Sequence, residues 1–413
     1  MKTVVLIGTL DTKGEQLDYL REGIRARGHR VILMDVSMKE ASCYPAEVPA
    51  EEIARAAGED IAALRASAER FRVTEAMTRG AIIKAQELVR QGSLDAVVAY
   101  GGTTLALLGA RVMHSLPFGI PKIIAVPAAM PTYIKEWFGA ADLVVMQMLF
   151  EAAGSNPMLL YLLDQVAGMV SGMVEESRER TDLRLPFPSV AITEMGFCTR
   201  CAREVERLLK ERGYEVCSFH AQGISDRAMD QLIGQGFFDA LIDIVPAGLI
   251  EEVLKGNRAA GMDRLRAPLE RGIPVVLAPC CLNLTGCGPT RPDRERFASR
   301  SRIMEIDALR SMTRLNREEL EMCARLYAER LNLARGPVRF LIPTRGWSSL
   351  DREGTVLYDP AEDRIFVEEL LRHLRPEIEV REVDANLEDP AFARALVDSA
   401  VELLGAGAAV AVG

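Results

Sequence analysis

The sequence predicts an α/β protein made of two Rossmann-like domains, each with a doubly wound parallel sheet. Short apolar runs alternate with amphipathic segments at helical spacing, which is typical of buried strands covered by helices. The chain has 413 residues, which is longer than a domain with a single hydrophobic core usually is, so two domains are expected. The alternation stops at a charged stretch closed by two prolines and then begins again. We therefore expect a first domain over residues 1–180, a linker over 181–188 and a second domain over 189–413.

The first half contains four predicted strands, at Val4–Gly8, Val31–Val36, Ala96–Tyr100 and Lys122–Val126. Between them, apolar residues repeat at helical spacing, as Leu17, Leu20 and Ile24 do, which predicts helices over Asp11–Arg27, Thr74–Arg90 and Leu105–His114. The long apolar stretch Pro157–Val174 is predicted to be a helix packed between domains or subunits.

The second half repeats this alternation of strands and helices and then adds further elements. Strands are predicted at Val190–Thr193, Glu215–Phe219, Ala240–Val245, Val338–Ile342 and Ile378–Val383. Helices are predicted over Cys201–Glu211, Arg227–Gly234, Arg317–Asn332, Asp363–His373 and Pro390–Leu404.

Three short phrases recur in the same order in both halves. Arg-Gly-His-Arg-Val at 27–31 matches Arg-Gly-Tyr-Glu-Val at 212–216, Leu-Asp-Ala at 94–96 matches Phe-Asp-Ala at 238–240, and Gly-Ile-Pro precedes a strand at 119–121 and at 272–274. Repeats of this kind predict that the two domains arose by internal duplication.

The composition argues against nucleic acid and membranes as partners of this protein. The formal charge is −9 and no basic run is present, which argues against a nucleic-acid surface. The first residues lack the apolar stretch of a signal peptide, and no later segment looks long and apolar enough to span a bilayer. We expect a cytoplasmic protein with no membrane partner.

The loops that follow predicted strands are the best candidates for a ligand site, because ligands of open parallel sheets bind at the carboxyl ends of the strands. Two such loops in the first domain combine glycines, hydroxyls and a lysine at the start of a helix, which suits phosphate. If the first four strands are ordered 2-1-3-4, the loops are neighbours. Asp11 or Thr12 could instead simply cap the helix. The predicted nucleotide-binding residues are Gly8, Thr9, Asp11, Thr12, Lys13, Gly14, Gly101, Gly102, Thr103 and Thr104.

The second domain offers polar strand ends of its own. His220, Arg227 and Asp243 are the candidate catalytic residues, since a histidine at a strand end can do acid or base work. A half-buried histidine bonded to the backbone is an equally good interpretation of His220. The candidate substrate-binding residues are Gly223, Arg345, Gly346 and Ser349, with Arg345 available to clamp an anion.

Four cysteines follow strands of the second domain: Cys198, Cys201, Cys280 and Cys281. If those strand ends approach one another, the thiolates could hold zinc or an iron–sulfur cluster. Packing, or a lowered thiol pKa at a helix start, would explain Cys201 equally well.

Several blocks, in the same order, resemble an uncharacterised bacterial and plant family whose best-known member is the N-terminal domain of the tomato mosaic virus resistance protein. These blocks include Ile-Gly-Thr-Leu-Asp-Thr-Lys-Gly at 7–14, His-Ala-Gln-Gly at 220–223, Gly-Cys-Gly-Pro at 286–289 and Tyr-Asp-Pro at 358–360. The resemblance covers nearly the whole chain. It implies two Rossmann-like subdomains, ATP binding as in the plant member, a homodimer and no established reaction.

Three functions remain open at this point. The first is binding of ATP or a related nucleotide in the first domain; if the protein is an enzyme, its substrate would lie near His220, Arg227 and Arg345, with Asp11 or Asp243 positioning Mg²⁺. The second is a non-catalytic sensor whose two lobes close on a small phosphate or other anion. The third is a cysteine-ligated metal or redox centre in the second domain.

Overall fold

The computed structural model describes residues 1–39, 43–127, 133, 137–149, 156–177 and 183–411. They form two compact units, Met1–Leu183 and Arg184–Gly413. Residues 181 and 182 of the predicted linker lie outside the described residues. The predicted α/β class with parallel sheets is confirmed in both units.

The N-terminal unit contains five strands and six helices in its described residues. The strands are β1 (Thr3–Gly8), β2 (Arg30–Asp35), β3 (Ala96–Tyr100), β4 (Lys122–Val126) and β5 (Val144–Gln147). The helices are α1 (Leu10–Arg25), α2 (Ala50–Ala56), α3 (Ile61–Ala66), α4 (Arg70–Arg90), α5 (Thr103–His114) and α6 (Pro157–Glu175).

All five strands are parallel, in the order β2-β1-β3-β4-β5. Two apolar clusters form the core, one on each face of the sheet. This arrangement explains why β3, and β1 and β4 after their first residues Thr3 and Lys122, contain only apolar and aromatic residues, because a strand covered on both faces has no solvent side. Strand β5 was not predicted, since a four-residue run half exposed at the sheet edge lacks the apolar signal.

The apolar helix α6 packs against α1. Its buried residues recur at helical spacing: Leu159, Leu163, Val166, Ala167, Val170, Ser171 and Val174. By length and composition α6 is apolar enough to cross a membrane, contrary to the expectation from sequence. Core helices of other proteins meet the same criterion, so the helix gives no information on location.

The C-terminal unit has nine strands and seven α-helices in its described residues. The strands are β6 (Ser189–Glu194), β7 (Glu215–His220), β8 (Ala240–Asp243), β9 (Val275–Leu277), β10 (Leu284–Gly286), β11 (Ile303–Glu305), β12 (Ser311–Arg314), β13 (Val338–Pro343) and β14 (Glu379–Val383). The helices are α7 (Thr199–Glu211), α8 (Ile224–Gly234), α9 (Gly248–Val253), α10 (Arg266–Arg271), α11 (Arg317–Leu331), α12 (Pro360–His373) and α13 (Pro390–Ala411).

Six of these strands form a parallel sheet in the order β14-β13-β9-β8-β6-β7. Counted from β6, its first five strands follow the order 2-1-3-4-5, as in the N-terminal unit. An internal duplication would produce this match, and duplication remains a prediction. A separate antiparallel sheet, β10-β12-β11, was not predicted, because its strands are only three or four residues long.

Candidate functional site

The loops after β1 and β3 begin at the same edge of the N-terminal sheet. Strand β3 pairs with β1 in parallel, with Ile7 opposite Ala99. Hydrogen-bonded strands lie about 4.8 Å apart, so the two loops are neighbours. The strand order 2-1-3-4, on which this pairing depends, is the order observed. The order reverses between β1 and β3, and ligands of doubly wound sheets bind at such a point.

The first turn of α1 is already bonded to the chain itself. The Leu10 N–H donates to Asp35 Oδ1 across 3.2 Å, and the Asp11 N–H donates to Ser37 Oγ across 3.0 Å. Burial raises the pKa of the Asp35 carboxyl, opposed by hydrogen bonds from Ser37 and Leu10. The N–H groups of Leu10 and Asp11 at the start of α1 therefore already have acceptors within the protein. An anion bound at this edge of the sheet would need a hydrogen-bond donor from another element.

Helix α5 supplies that donor. Its N-cap is Gly102, which has no side chain to accept from the helix N–H groups. The first intrahelical bond is from the Ala106 N–H to the Gly102 carbonyl, at 2.9 Å. Among the described residues, no acceptor faces the N–H groups of Thr103 and Thr104. Free N–H groups at the positive end of a helix dipole favour a bound anion.

Only one of the predicted glycines opens space for a ligand. A Cβ on Gly8 would lie 2.4 Å from Leu17, one on Gly14 would lie 2.2 Å from Tyr44, and one on Gly101 would lie 2.4 Å from Leu105. Packing within the unit therefore explains these three. A Cβ on Gly102 would meet nothing within 4 Å.

The β1 loop contributes side chains rather than N–H groups. The hydroxyls of Thr9 and Thr12 lie 2.8 Å apart, and the Thr12 side chain is exposed. Lys13 interrupts α1 with non-helical angles, φ −130° and ψ 20°. The Thr9 and Thr12 hydroxyls and the Lys13 ammonium group thus follow the strand next to the one that leads into α5, where the Thr103 and Thr104 N–H groups lie. This set can bind the oxygens of a phosphate.

Sequence reasoning missed Asp35 and Ser37, which follow the neighbouring strand β2. A signal was present, because an Asp-x-Ser sequence at a strand end beside β1 is well placed to cap the helix that β1 leads into.

Two of the candidate catalytic residues of the C-terminal unit, His220 and Asp243, are not brought together. His220 ends the edge strand β7 and is exposed, whereas Asp243 ends β8 and is completely buried. Strands β7 and β8 lie on opposite sides of β6, so their ends are about 10 Å apart. Asp243 accepts from Thr193 at 2.7 Å and from Arg264 at 2.6 Å, which makes it an ion-pair residue of the interior.

Arg227 lies on α8 and lines a groove of about 500 Å³ between α8 and α10. Gly223 precedes this helix with φ +87°, and a Cβ there would lie 2.4 Å from the Ala259 carbonyl oxygen. Gly223 is therefore required by the backbone, whether or not a substrate binds.

The remaining candidate substrate residues follow β13. Arg345 forms two hydrogen bonds of 2.7 Å with the exposed Asp384 carboxylate. Gly346 has φ +99° and packs on the backbone of Asp351. The Ser349 N–H donates to the Phe197 carbonyl across 2.9 Å, so this loop does reach the loop after β6. Each residue thus has a partner within the unit.

The cysteines of the C-terminal unit do approach one another. The Sγ atoms of Cys280 and Cys281 are 3.8 Å apart, Cys280 is hydrogen-bonded to Cys198, and Cys281 Sγ is 3.7 Å from Met195 Sδ. All four side chains are buried. Cys201 lies in the first turn of α7, where its N–H donates to Glu388 Oε1 across 3.2 Å.

A metal at these sulfurs gains no support from the geometry. In the part of the chain that the structure describes, no group of three or more His, Cys, Asp or Glu side chains is arranged to hold a metal ion. Sequence reasoning also missed Met195 and the buried Arg258, whose Nη1 lies 3.4 Å from Met195 Sδ, because neither stands in a recognisable motif.

Comparison with known proteins covers both units. Residues 2–179 match the N-terminal domain, and residues 188–404 the C-terminal domain, of a family described as "Uncharacterised protein family (UPF0261)".

Individual relatives span the whole chain. A UPF0261 protein of Clostridium tetani is 27% identical over 98% of this chain and 99% of its own length. The ToMV resistance protein Tm-1(GCR237) of Solanum lycopersicum is 30% identical over 97% of this chain, which spans 55% of that protein's length. A UPF0261 protein of Rhizobium meliloti is 29% identical over 96% of this chain and 98% of its own length.

Proposed function

Because the chain belongs to the UPF0261 family, whose description names no activity, we propose a function from its own geometry: the N-terminal unit binds a nucleotide of the ATP type, with its phosphates between the β1 and β3 loops. The observation that carries the proposal is the open start of α5, where Gly102 precedes two N–H groups without an acceptor among the described residues.

The position of these groups supports a phosphate ligand. They lie where the strand order reverses, beside a loop that carries Thr9, Thr12 and Lys13. Backbone N–H groups, hydroxyls and a lysine are the donors that phosphate oxygens take in many nucleotide sites. Because Asp35 occupies the start of α1, the phosphates belong on the α5 side of the crevice, with the β1 loop supplying side chains.

Gly102→Ala is the sharpest test. The residue has φ −71°, which alanine adopts readily, and the added methyl group would meet no atom of the protein within 4 Å. The substitution therefore leaves the fold intact while it fills the space through which a phosphate reaches the helix N–H groups.

The experiment is calorimetric titration of the full chain with ATP, with and without Mg²⁺, and with inorganic phosphate. We expect saturable ATP binding that Gly102→Ala weakens at least about tenfold, equivalent to ~1.4 kcal/mol. The control is Gly168→Ala, an exposed glycine of α6 whose added methyl group also meets nothing within 4 Å. Absence of ATP binding by the native chain, or equal affinity in native chain and Gly102→Ala, would overturn the proposal.

A further inference from the structure

A buried sulfur cluster lies in the C-terminal unit and has no part in the proposed nucleotide site. Cys280 and Cys281 follow β9 at the carboxyl edge of the parallel sheet, and Cys198 and Met195 belong to the loop after β6. The exposed fractions of the four side chains are 4% or less. The four sulfurs form one buried cluster at the strand-end edge of this sheet.

The backbone at Cys281 is unusual for a cysteine. Its φ is +61°, in the left-handed region that favours glycine. Residues held in this region cost of order 1 kcal/mol or more and cluster at active sites and ligand contacts. The conformation brings the Cys281 thiol to 3.8 Å from the thiol of its sequence neighbour and to 3.7 Å from Met195 Sδ.

Arg258 places a fixed positive charge beside these sulfurs. It is buried, donates to Glu251 Oε1 across 2.8 Å, and also contacts Met195 and Cys281. A hydrogen bond from Cys280 lowers the pKa of the Cys281 thiol, and the Arg258 guanidinium lowers it further against the effect of burial. Burial raises the pKa of Cys280 well above its usual range. The two adjacent thiols therefore differ: one is suited to be a thiolate and the other to donate to it.

We propose that Cys281 is a redox-active thiol that reacts with a small hydroperoxide, and that Cys280 resolves the product as a disulfide. The inference assigns a reaction to the C-terminal unit and is independent of nucleotide binding. The oxidant must be small and uncharged, because the thiols are buried and a bulky disulfide such as oxidised glutathione would have to displace the chain around them.

The chemistry balances in two steps. The Cys281 thiolate attacks the distal oxygen of the hydroperoxide, the O–O bond breaks, and the alcohol or water leaves after taking a proton, so that Cys281 becomes a sulfenic acid. The Cys280 sulfur then attacks the sulfenic sulfur, an S–S bond forms, the S–O bond breaks, and water leaves with the Cys280 proton. Two electrons pass from the two sulfurs to the peroxide.

The bond between sequence neighbours is expected to be easily reduced. Adjacent Cα atoms are about 3.8 Å apart across a trans peptide, below the usual range for a disulfide. Strained disulfides have more oxidising potentials and are the labile ones. A thiol reductant such as dithiothreitol should therefore restore the dithiol quickly.

The test is mass spectrometry of the folded full-length chain after treatment with a few equivalents of hydrogen peroxide, alkylation and trypsin digestion. We expect the peptide Gly272–Arg294, which extends past Arg291 because trypsin does not cleave before Pro292, to lose two hydrogen atoms and to be alkylated only at Cys287. In Cys280→Ser, which lacks the resolving thiol, dimedone added as the chain is unfolded after the peroxide treatment should trap a sulfenic acid on Cys281.

Cys281→Gly provides the decisive variant, because glycine accepts φ +61° and the fold is retained. It should form no disulfide at Cys280. The matched control is Cys323→Ser, which removes a thiol that is also buried but has no sulfur partner among the described residues, and it should oxidise like the native chain. Arg258→Met also removes the partner of the buried Glu251, so its reaction rate is read only after circular dichroism shows a folded chain; it should then be slower by about tenfold at neutral pH, since the thiolate fraction sets the rate.

Three results would overturn the proposal. One is oxidation confined to Cys43 and Cys217, which are more exposed, while Cys280 and Cys281 stay reduced. The second is a Cys198–Cys280 disulfide that forms equally well in Cys281→Gly. The third is oxidation of Cys281 only at the rate of global unfolding, measured by circular dichroism in parallel.

Discussion

Arg264 donates to Asp243 across 2.6 Å, and neither side chain is exposed at all. The same guanidinium is 3.1 Å from Asp230 and 3.8 Å from Asp226. One cation thus balances three carboxyl groups at the end of β8, and burial raises the pKa of Asp230 to about 6. This relationship places Asp243, a candidate catalytic residue in the sequence, in an ion-pair network inside the unit.

Replacement of Arg264 by Met should destabilise the C-terminal unit strongly. Removing one partner of a buried ion pair leaves uncompensated charge and typically costs about 3–5 kcal/mol. Urea unfolding followed by circular dichroism would measure the loss. Arg207→Ala is the control, because Arg207 pairs with Glu204 and Glu211 on the exposed face of α7 and its removal should leave the unfolding midpoint unchanged. A stability loss no greater than in the control would contradict the prediction.

A second buried network makes stability depend on pH. Asn283 donates to Asp351 at 2.6 Å and to Asp363 at 2.8 Å, and Arg314 donates to Asp363. Burial raises the pKa of Asp363 from 3.8 to about 7, opposed by Arg314. Between these two pH values the folded chain keeps a proton that the unfolded chain has released. The free energy of unfolding contributed by this group therefore falls as pH rises from about 4 to about 7.

Asp363→Asn tests this linkage. The asparagine does not titrate, so its unfolding free energy should fall less steeply between pH 4 and pH 7 than that of the native chain. The measurement is the urea midpoint at several pH values in this window. Asp398→Asn, an exposed residue of α13 paired with Arg212, is the control and should follow the native slope. Parallel profiles for the native chain and Asp363→Asn would refute the assignment.

The parallel sheets were predictable because strands buried on both faces appear in the sequence as continuous apolar runs. Val4–Gly8 and Ala96–Tyr100 are continuous apolar runs. Their order in the sheet was not predictable, because doubly wound sheets occur with more than one strand order. The antiparallel sheet β10-β12-β11 was not predictable, since Ser311–Arg314 is short and holds two polar residues that bond to other parts of the unit.

The candidate sites were predictable only in part. The rule that ligands bind where parallel strands end identified the loops after β1 and β3 as candidates. The same rule selected Asp243 and Arg345. The sequence could not show that these two residues already had ionic partners, because Arg264 and Asp384 lie 21 and 39 residues away. Partners that are distant along the chain decide whether a polar strand end faces a ligand or the interior.

Two glycines of the N-terminal unit should respond to alanine in opposite directions. Gly80 lies on α4 against α2, and a Cβ there would be 2.0 Å from the Ile53 carbonyl oxygen. Alanine is favoured over glycine in a helix by about 1 kcal/mol, but a clash with backbone cannot be relieved by a rotamer change. Gly80→Ala should therefore destabilise the unit, whereas Gly168→Ala, in open space on α6, should stabilise it. Thermal unfolding of both variants measures the signs, and stabilisation by Gly80→Ala would contradict the packing.

Lys13 and Lys2 lie at opposite ends of β1, and this placement makes them a matched pair for the proposed nucleotide site. Lys13 lies in the distorted first turn of α1, just after the strand and next to Thr12 in the chain, while Lys2 precedes the strand and pairs with Asp95 at 3.4 Å. If phosphates bind in the β1 loop, Lys13→Gln should weaken ATP binding by about tenfold, or ~1.4 kcal/mol. The loss should shrink as salt is raised, because the Debye length falls from about 10 Å at 0.1 M to about 3 Å at 1 M.

Lys2→Gln changes the net charge equally, so it controls for long-range attraction and should leave the affinity unchanged. Calorimetric titration at two salt concentrations distinguishes the cases, and equal losses in both variants would mean that ATP responds to overall charge rather than to this loop.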